Sequence, residues 1–194
     1  MGARFSKRLG AYIIDVIVIS IIFGVIIMLL PESKNVIVLE SELTVLNEQY
    51  LKHDIDLSVY YNRYATIIHS LDKENIPHLI INIFLILIYF VLVPFYCNGK
   101  TIGKRIFKLK ISKGQERLGL NDLLLRTLII NGVGTSLISL CFIYLLPEIS
   151  YFILSIICGF VQILLVIISG FMVIYRHDKK GVQDFVSGTQ VVEG

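Results

Sequence analysis

Asp15 stands inside an otherwise apolar run, Ala11-Tyr12-Ile13-Ile14-Asp15-Val16-Ile17-Val18. An ionised Asp at the centre of a membrane helix costs about 2.5–3.5 kcal/mol, so such a group is read by default as functional. Lying about five residues into the run, it would sit on the order of 7 Å below the boundary, where the cost is smaller. Arg8 precedes it by two helical turns on the same face, and Arg126 enters another apolar run from the same side. Two roles fit these residues. Asp15 could be neutralised by Arg8 or Arg126 as a charge lock that fixes helix packing. Alternatively, its protonation could change with cation occupancy, as a transport cycle requires.

Other polar residues lie deeper in the apolar runs: Asn131, Gln162 and Asn82, with Thr135, Ser136 and Ser139 extending the line beyond Asn131. They could line a polar pathway across the membrane or simply hydrogen-bond between helices, at about 0.6 kcal/mol per pair. Gly132-x3-Ser136 and Ser155-x3-Gly159 are small-residue steps that let helices approach closely. His53, His69, His78 and His177 show no metal-ligand spacing, and no nucleophile motif is present. No catalytic residue, metal ligand or cofactor is therefore expected, and no nucleic-acid partner. Cys97, Cys141 and Cys158 fall in apolar stretches and read as buried small hydrophobes rather than a disulfide frame.

These residues need a membrane scaffold. Of 194 residues, 55% are hydrophobic and 17% charged, and the mean hydropathy is +0.76. A soluble domain runs nearer 45–50% apolar and about 25% charged. Apolar segments at roughly 11–30, 79–97, 123–146 and 151–174 are each long enough for a hydrocarbon core of about 30 Å. The first exceeds a signal-peptide core of 7–15 residues and has no small-residue cleavage site after it. Basic residues alternate across the spans: three precede the first, four in residues 31–78 are outnumbered by eight acidic residues, and seven lie in 98–122. Residues 147–150 carry none and 175–194 carry three. This pattern puts both termini and the basic loop 98–122 in the cytoplasm of a cell-membrane protein. Tyr12, Tyr96, Tyr144, Tyr151 and Tyr175 fall near span ends, where an amphipathic ring suits the interface.

The fold class expected is an all-α membrane protein, 1–194, with four transmembrane helices, an extracytoplasmic helical cap and a small cytoplasmic β-hairpin or sheet. In the outer insertion, 31–78, Leu39, Leu43, Leu46 and Tyr50, then Leu57, Tyr60, Tyr64, Ile67 and Leu71, step by four and three as a helical seam. The break falls at 53–58, with Asp56 or Ser58 as cap, and Pro77 ends the insertion. Inside, 107–112 alternates apolar and polar like a strand, and it is expected to pair with 189–192 in the tail. Gly99-Lys100-Thr101-Ile102-Gly103-Lys104-Arg105 only superficially resembles a phosphate loop. Lys100, Lys104, Arg105 and Lys108 more plausibly contact anionic lipid headgroups, or simply set topology.

Three stretches together resemble the RDD family of small bacterial membrane proteins. They are Arg8-Leu9-Gly10-Ala11-Tyr12-Ile13-Ile14-Asp15, Gly99-Lys100-Thr101-Ile102-Gly103-Lys104 and Lys180-Gly181-Val182-Gln183-Asp184-Phe185-Val186-Ser187-Gly188-Thr189-Gln190-Val191-Val192. The resemblance maps the family's arginine and two aspartates onto Arg8, Asp15 and Asp184. It departs at Gln190, where arginine is more usual, and at Gln183, often histidine. It implies a polytopic membrane protein with a transport role, cation–proton antiport being one suggested activity, or an accessory subunit. Read alone, Asp184 is a solvated tail aspartate or a helix cap. In the family setting it returns to the inner face near Arg8, Arg126 or the Gly103-Lys104-Arg105 turn. The transporter reading, with Asp15 exchanging a proton for a monovalent cation, implies a homo-oligomer. The accessory reading has the outer or basic loop bind another membrane protein.

Overall fold

The computed structural model describes residues 2–31 and 33–194. Three helices are long and apolar enough to cross a bilayer: α1 (Phe5–Met28), α4 (Ile76–Tyr96) and α8 (Glu148–Tyr175). Between α1 and α4 stand α2 (Lys34–Leu51) and α3 (Leu57–Glu74), and after α4 come the short α5 (Ile102–Ile106) and strand β1 (Leu109–Ser112). Helices α6 (Leu120–Ile130) and α7 (Val133–Leu145) follow, then α8, the short α9 (Val182–Val186) and β2 (Gln190–Glu193). The long helices start three to six residues ahead of the hydropathy blocks, because a helix continues into its polar first turns while a hydropathy average does not.

The expected third span is not one straight helix. α6 and α7 pass the length and apolarity test only together, bent by 67°. The cause is local: Asn131 and Gly132 are both poor helix formers, and Gly132 sits at φ 73°, a left-handed conformation that a Cβ penalises. Gly132 is thus a hinge, not the packing notch its spacing to Ser136 suggested. Thr135 Oγ1 donates to the Gly132 carbonyl at 2.8 Å, and Gln162 Nε2 donates to the carbonyls of Ile129 and Ile130 at 3.1 and 3.3 Å. Those carbonyls belong to the last turn of α6, which has no intrahelical partners for them. Gln162 caps the break.

β1 and β2 pair antiparallel, Leu109 opposite Glu193 and Ser112 opposite Gln190. The Ala3 amide donates to the Val191 carbonyl at 2.9 Å, so the chain start joins the tail strand. Beneath this sheet Ala3, Ala11, Val91, Leu109, Ile111, Leu123 and Val191 form the buried apolar cluster. At the opposite end of the bundle α2 and α3 make a hairpin cap. Leu46 and Ile67 are buried in its seam, while Tyr50 and Tyr60 stack at 4.5 Å and Tyr64 meets Phe152 of α8 at 5.5 Å. Leu57 leaves the expected seam and is exposed. Asp56 occupies the N-cap of α3 but makes no side-chain cap bond, and Ser58 lies inside the helix.

Along the bundle wall the apolar residues face outward; the most apolar window of α8 is only 6% buried. A helix apolar on all sides is stable where the surroundings are also apolar. Cys141 lies on this outer surface, contrary to its expected burial. Tyr96, Tyr144 and Tyr175 are exposed, but Tyr151 is buried and donates to Asp72 Oδ2 at 2.7 Å, tying α8 to the cap.

Gly132→Ala should lower stability by about 1–2 kcal/mol, the penalty for a Cβ in a left-handed conformation. Gly159→Ala, where a Cβ meets nothing within 4 Å, should leave stability unchanged or raise it by up to about 1 kcal/mol. Thermal unfolding in detergent distinguishes these outcomes, and equal effects would refute the hinge.

Candidate functional site

Two carboxylates, Asp15 and Asp184, are wholly buried at the sheet end of the bundle. Helix α1 supplies Arg8 and Asp15, α6 supplies Arg126, and α9 supplies Asp184. Arg8 Nη1 donates to Asp184 Oδ2 at 2.6 Å, and Arg126 Nη1 donates to Asp184 Oδ1. Arg8 further donates from Nε to the Ala3 carbonyl at 3.2 Å and from Nη2 to the Val191 carbonyl at 2.9 Å. Arg126 Nη1 also reaches Thr189 Oγ1 at 2.5 Å. The Gly181 amide donates to Asp184 Oδ2 at 3.1 Å, an N3 carboxylate satisfying the N-cap amide of its own helix. One tail carboxylate therefore binds two guanidiniums from separate helices.

Asp15 is not paired with either arginine, which corrects the expected charge lock. Oδ1 accepts from Tyr89 Oη at 2.6 Å and from the Gly103 amide at 2.7 Å; Oδ2 accepts from Thr101 Oγ1 at 2.5 Å. All three partners are donors, the complement of an ionised carboxylate. Its cationic neighbour is Lys104, whose Nζ is 3.7 Å from Oδ2. The reason Arg8 misses Asp15 is directional. Side chains on an α-helix lean toward its N-terminus, so Arg8 points away from Asp15 and into the tail.

The partners of Asp15 come from two local features. Residues Ile88–Leu92 within α4 form a π-helical turn, and this region carries Tyr89, whose hydroxyl reaches Asp15. Single π turns recur at functional sites. Thr101 is the N-cap of α5, its Oγ1 accepting from the Lys104 amide at 3.4 Å. The Gly103 backbone packs directly on α1: a Cβ there would lie 2.1 Å from the Ala11 carbonyl oxygen. Only glycine lets α5 approach closely enough for its amide to reach Asp15.

Lys104 also departs from its expected place among the headgroup contacts. It turns inward, its Nζ 3.3 Å from Thr101 Oγ1 and 5.8 Å from the centre of the Phe90 ring. Burial pulls its ammonium down to about 8, while Asp15 opposes the fall. Lys100 is half-buried and Arg105 and Lys108 are exposed; they line a surface recess with Tyr96, Cys97 and Asn98. The proposed polar pathway is not brought together. Asn131 lines a cavity of about 160 Å³ beside Arg8, Lys104 and Arg126. Asn82 lines a separate one of about 250 Å³ near the cap, with Asp72, His78, Ser139 and Tyr151. Gln162 caps the α6 break.

Tyr89 is the residue sequence reasoning missed entirely, since nothing marks one tyrosine in an apolar span. Thr101 and Gly103 lie in a stretch whose basic residues and family resemblance were legible, but whose contact with Asp15 was not; Thr101 three residues before Lys104 is a readable N-cap signal. Gln183 and Gln190, the departures from the family pattern, are both engaged: Ser169 Oγ donates to Gln183 Oε1, and Gln190 Nε2 donates to the Asp178 carbonyl.

Burial pushes the Asp184 carboxyl up, but Arg126 and Arg8 together outweigh it and leave its pKa below the ordinary carboxylate value. A depressed folded pKa means that the stabilisation is complete above the unfolded value, about 3.9, and is lost as pH falls through the lower folded value. Tail docking should therefore survive until pH drops below the usual carboxylate range. Asp184→Asn leaves two buried guanidiniums without their countercharge, a loss of about 3–5 kcal/mol. Limited proteolysis should then cleave the tail at neutral pH; a variant tail as resistant as the original would contradict this role.

No curated protein and no solved structure matches this chain significantly. The model of the RDD family, however, matches residues 3–188, nearly the whole length, and the chain belongs to the RDD family of membrane proteins.

Proposed function

We propose that this protein spans the cell membrane four times, with both termini and residues 98–122 cytoplasmic, and exchanges a monovalent cation for a proton at the Asp15–Lys104 pair. Chain closure supports the crossings. β1 and β2 meet at one end, and α8 traverses the full bundle before β2, so α6 and α7 together must carry the chain away from that end. Likewise α1 leaves the sheet end for the cap and α4 returns. The excess of basic residues at the sheet end supports its cytoplasmic placement.

The single observation that carries the exchange reading is the Asp15 nest. A buried carboxylate there is flanked by two hydroxyl oxygens, Tyr89 and Thr101, and by an ammonium that could be exchanged. Oxygen ligands of this kind suit hard monovalent ions. The proton carrier in this reading is Lys104 rather than Asp15. The ammonium releases one proton to the cytoplasm, the neutral amine swings away, and a cation takes its place beside the carboxylate. Charge is conserved at the site, since one positive charge leaves as another arrives. Loading by cation is favoured as pH rises through about 8, the Lys104 value. Asp15 is sealed from solvent, so loading also requires motion, for which the hinge at Gly132 and the π turn at Ile88–Leu92 are the mobile candidates. A homo-oligomer would widen the route.

The accessory reading rests on the cap, which leaves Ile37, Val38, Val45 and Tyr61 exposed and could seat another membrane protein there.

In liposomes carrying a pH-sensitive dye, Na⁺, K⁺ or Li⁺ gradients should drive proton flux that rises with pH around 8. Asp15→Asn should abolish it, and Lys104→Met should abolish the proton coupling. Absence of flux from folded protein, together with co-purification of a stable partner, would favour the accessory role instead.

A further inference from the structure

The 160 Å³ cavity beside Lys104 has a surplus of hydrogen-bond donors. The Arg126 side chain is 9% exposed and spends only Nη1, on Asp184 and Thr189. Among the described residues its Nε and Nη2 hydrogens have no acceptor. The Asn131 Nδ2 is fully enclosed and also lacks one. Charge is unbalanced in the same direction: among the described residues Arg8, Lys104 and Arg126 pair only with Asp15 and Asp184, leaving one positive charge over. An enclosed donor without a partner, as at Asn131 Nδ2, and an excess of charge are costly unless something accepts them.

Most of the remaining wall is apolar, with Phe5, Tyr12, Phe90, Ile130 and Val173, and its other polar members, Thr127, Ser169 and Gln183, are hydrogen-bonded within the protein. Leu9 and Val166 line the cavity yet are 43% and 39% exposed, so its mouth opens on the bundle surface that faces acyl chains. The volume is close to that of an engineered cavity that holds one benzene ring, about 150 Å³. It accommodates a carboxylate and its first methylenes, not a phosphoglycerol head with two chains.

We propose that this cavity binds a long-chain carboxylate of the fatty-acid class. Its oxygens take the free hydrogens of Arg126 and Asn131, and its chain leaves between Leu9 and Val166 into the bilayer. A guanidinium fork suits the two oxygens of a carboxylate, and the exit keeps the chain in hydrocarbon. This site is separate from the exposed Arg105 and Lys108 recess, and it goes beyond ion exchange, because binding is read with no gradient present.

The test titrates purified full-length protein in neutral maltoside detergent with oleate, followed by native mass spectrometry and thermal unfolding. One oleate per chain and a raised unfolding midpoint are expected, with oleyl alcohol and acetate each at least tenfold weaker. Gly170→Leu should weaken oleate at least tenfold, because a Cβ there already lies 3.5 Å from the Phe5 ring and a longer side chain fills the cavity. Asn131→Leu, which removes a donor without touching an ion pair, should do the same and serves if Gly170→Leu does not fold. Unchanged oleate affinity in the folded variants overturns the proposal. So does equal binding of oleyl alcohol, which would mean a site indifferent to charge, or of acetate, which would mean a site for small free anions.

Discussion

The contact on which the sheet end of this molecule depends is Asp184 held between Arg8 and Arg126. Each arginine comes from a different helix, and their side chains are only 10% and 9% exposed. A buried guanidinium without a countercharge is strongly destabilising, so the tail must fold back beneath the bundle for both helices to keep their charge. Folding it back delivers β2 to β1, brings the Val191 carbonyl to both Arg8 and the Ala3 amide, and closes the apolar cluster under the sheet. A motif split between the two ends of the chain is thereby a single unit in space.

That pairing also explains what Asp15 becomes. With both arginines engaged elsewhere, Asp15 is left to a tyrosine hydroxyl, a threonine hydroxyl, a backbone amide and a more distant ammonium. An arginine fork would have locked it. Lys104 instead is a compact point charge on a flexible stem whose pKa shifts readily on burial, and its inward turn places it between Asp15 and the neighbouring cavity. The two carboxylates differ in which cation each received, two arginines at Asp184 and one lysine at Asp15.

Much of this was legible from residue order. Block hydropathy located the long helices, period-2 alternation at 107–112 located β1, and the spacing of leucines and tyrosines located the cap seam, because each signal is local and repeats. The partners of Asp15 were not legible, since they depend on side-chain direction and on contacts across long sequence separations. Arg8 lies on the same face as Asp15 by spacing, yet the N-terminal lean of helical side chains sends it the other way. The break at Gly132 escaped for a related reason: apolarity averages over a window, whereas a single left-handed residue decides whether the helix continues. Tyr89 was invisible because a π turn has no marker in an apolar sequence.

The polar residues are distributed unequally along the bundle, and this bears on mechanism. The sheet end concentrates two carboxylates and three cations within one cluster, while the polar side chains at the middle of the bundle, Asn131, Thr135 and Gln162 among them, are uncharged. The cavity beside the charged cluster and the one beneath the cap share no lining residue. A continuous route would have to pass the α6–α7 break, where Gln162 already satisfies the freed carbonyls of Ile129 and Ile130. Straightening or further bending that break would release those carbonyls toward the bundle interior, where unwound backbone is tolerated in membranes only if it lines a cavity or is covered by protein. Asn131 at the break lines the first cavity and Ser139 of α7 the second, so the break stands between them, and Gln162 holds its carbonyls in place.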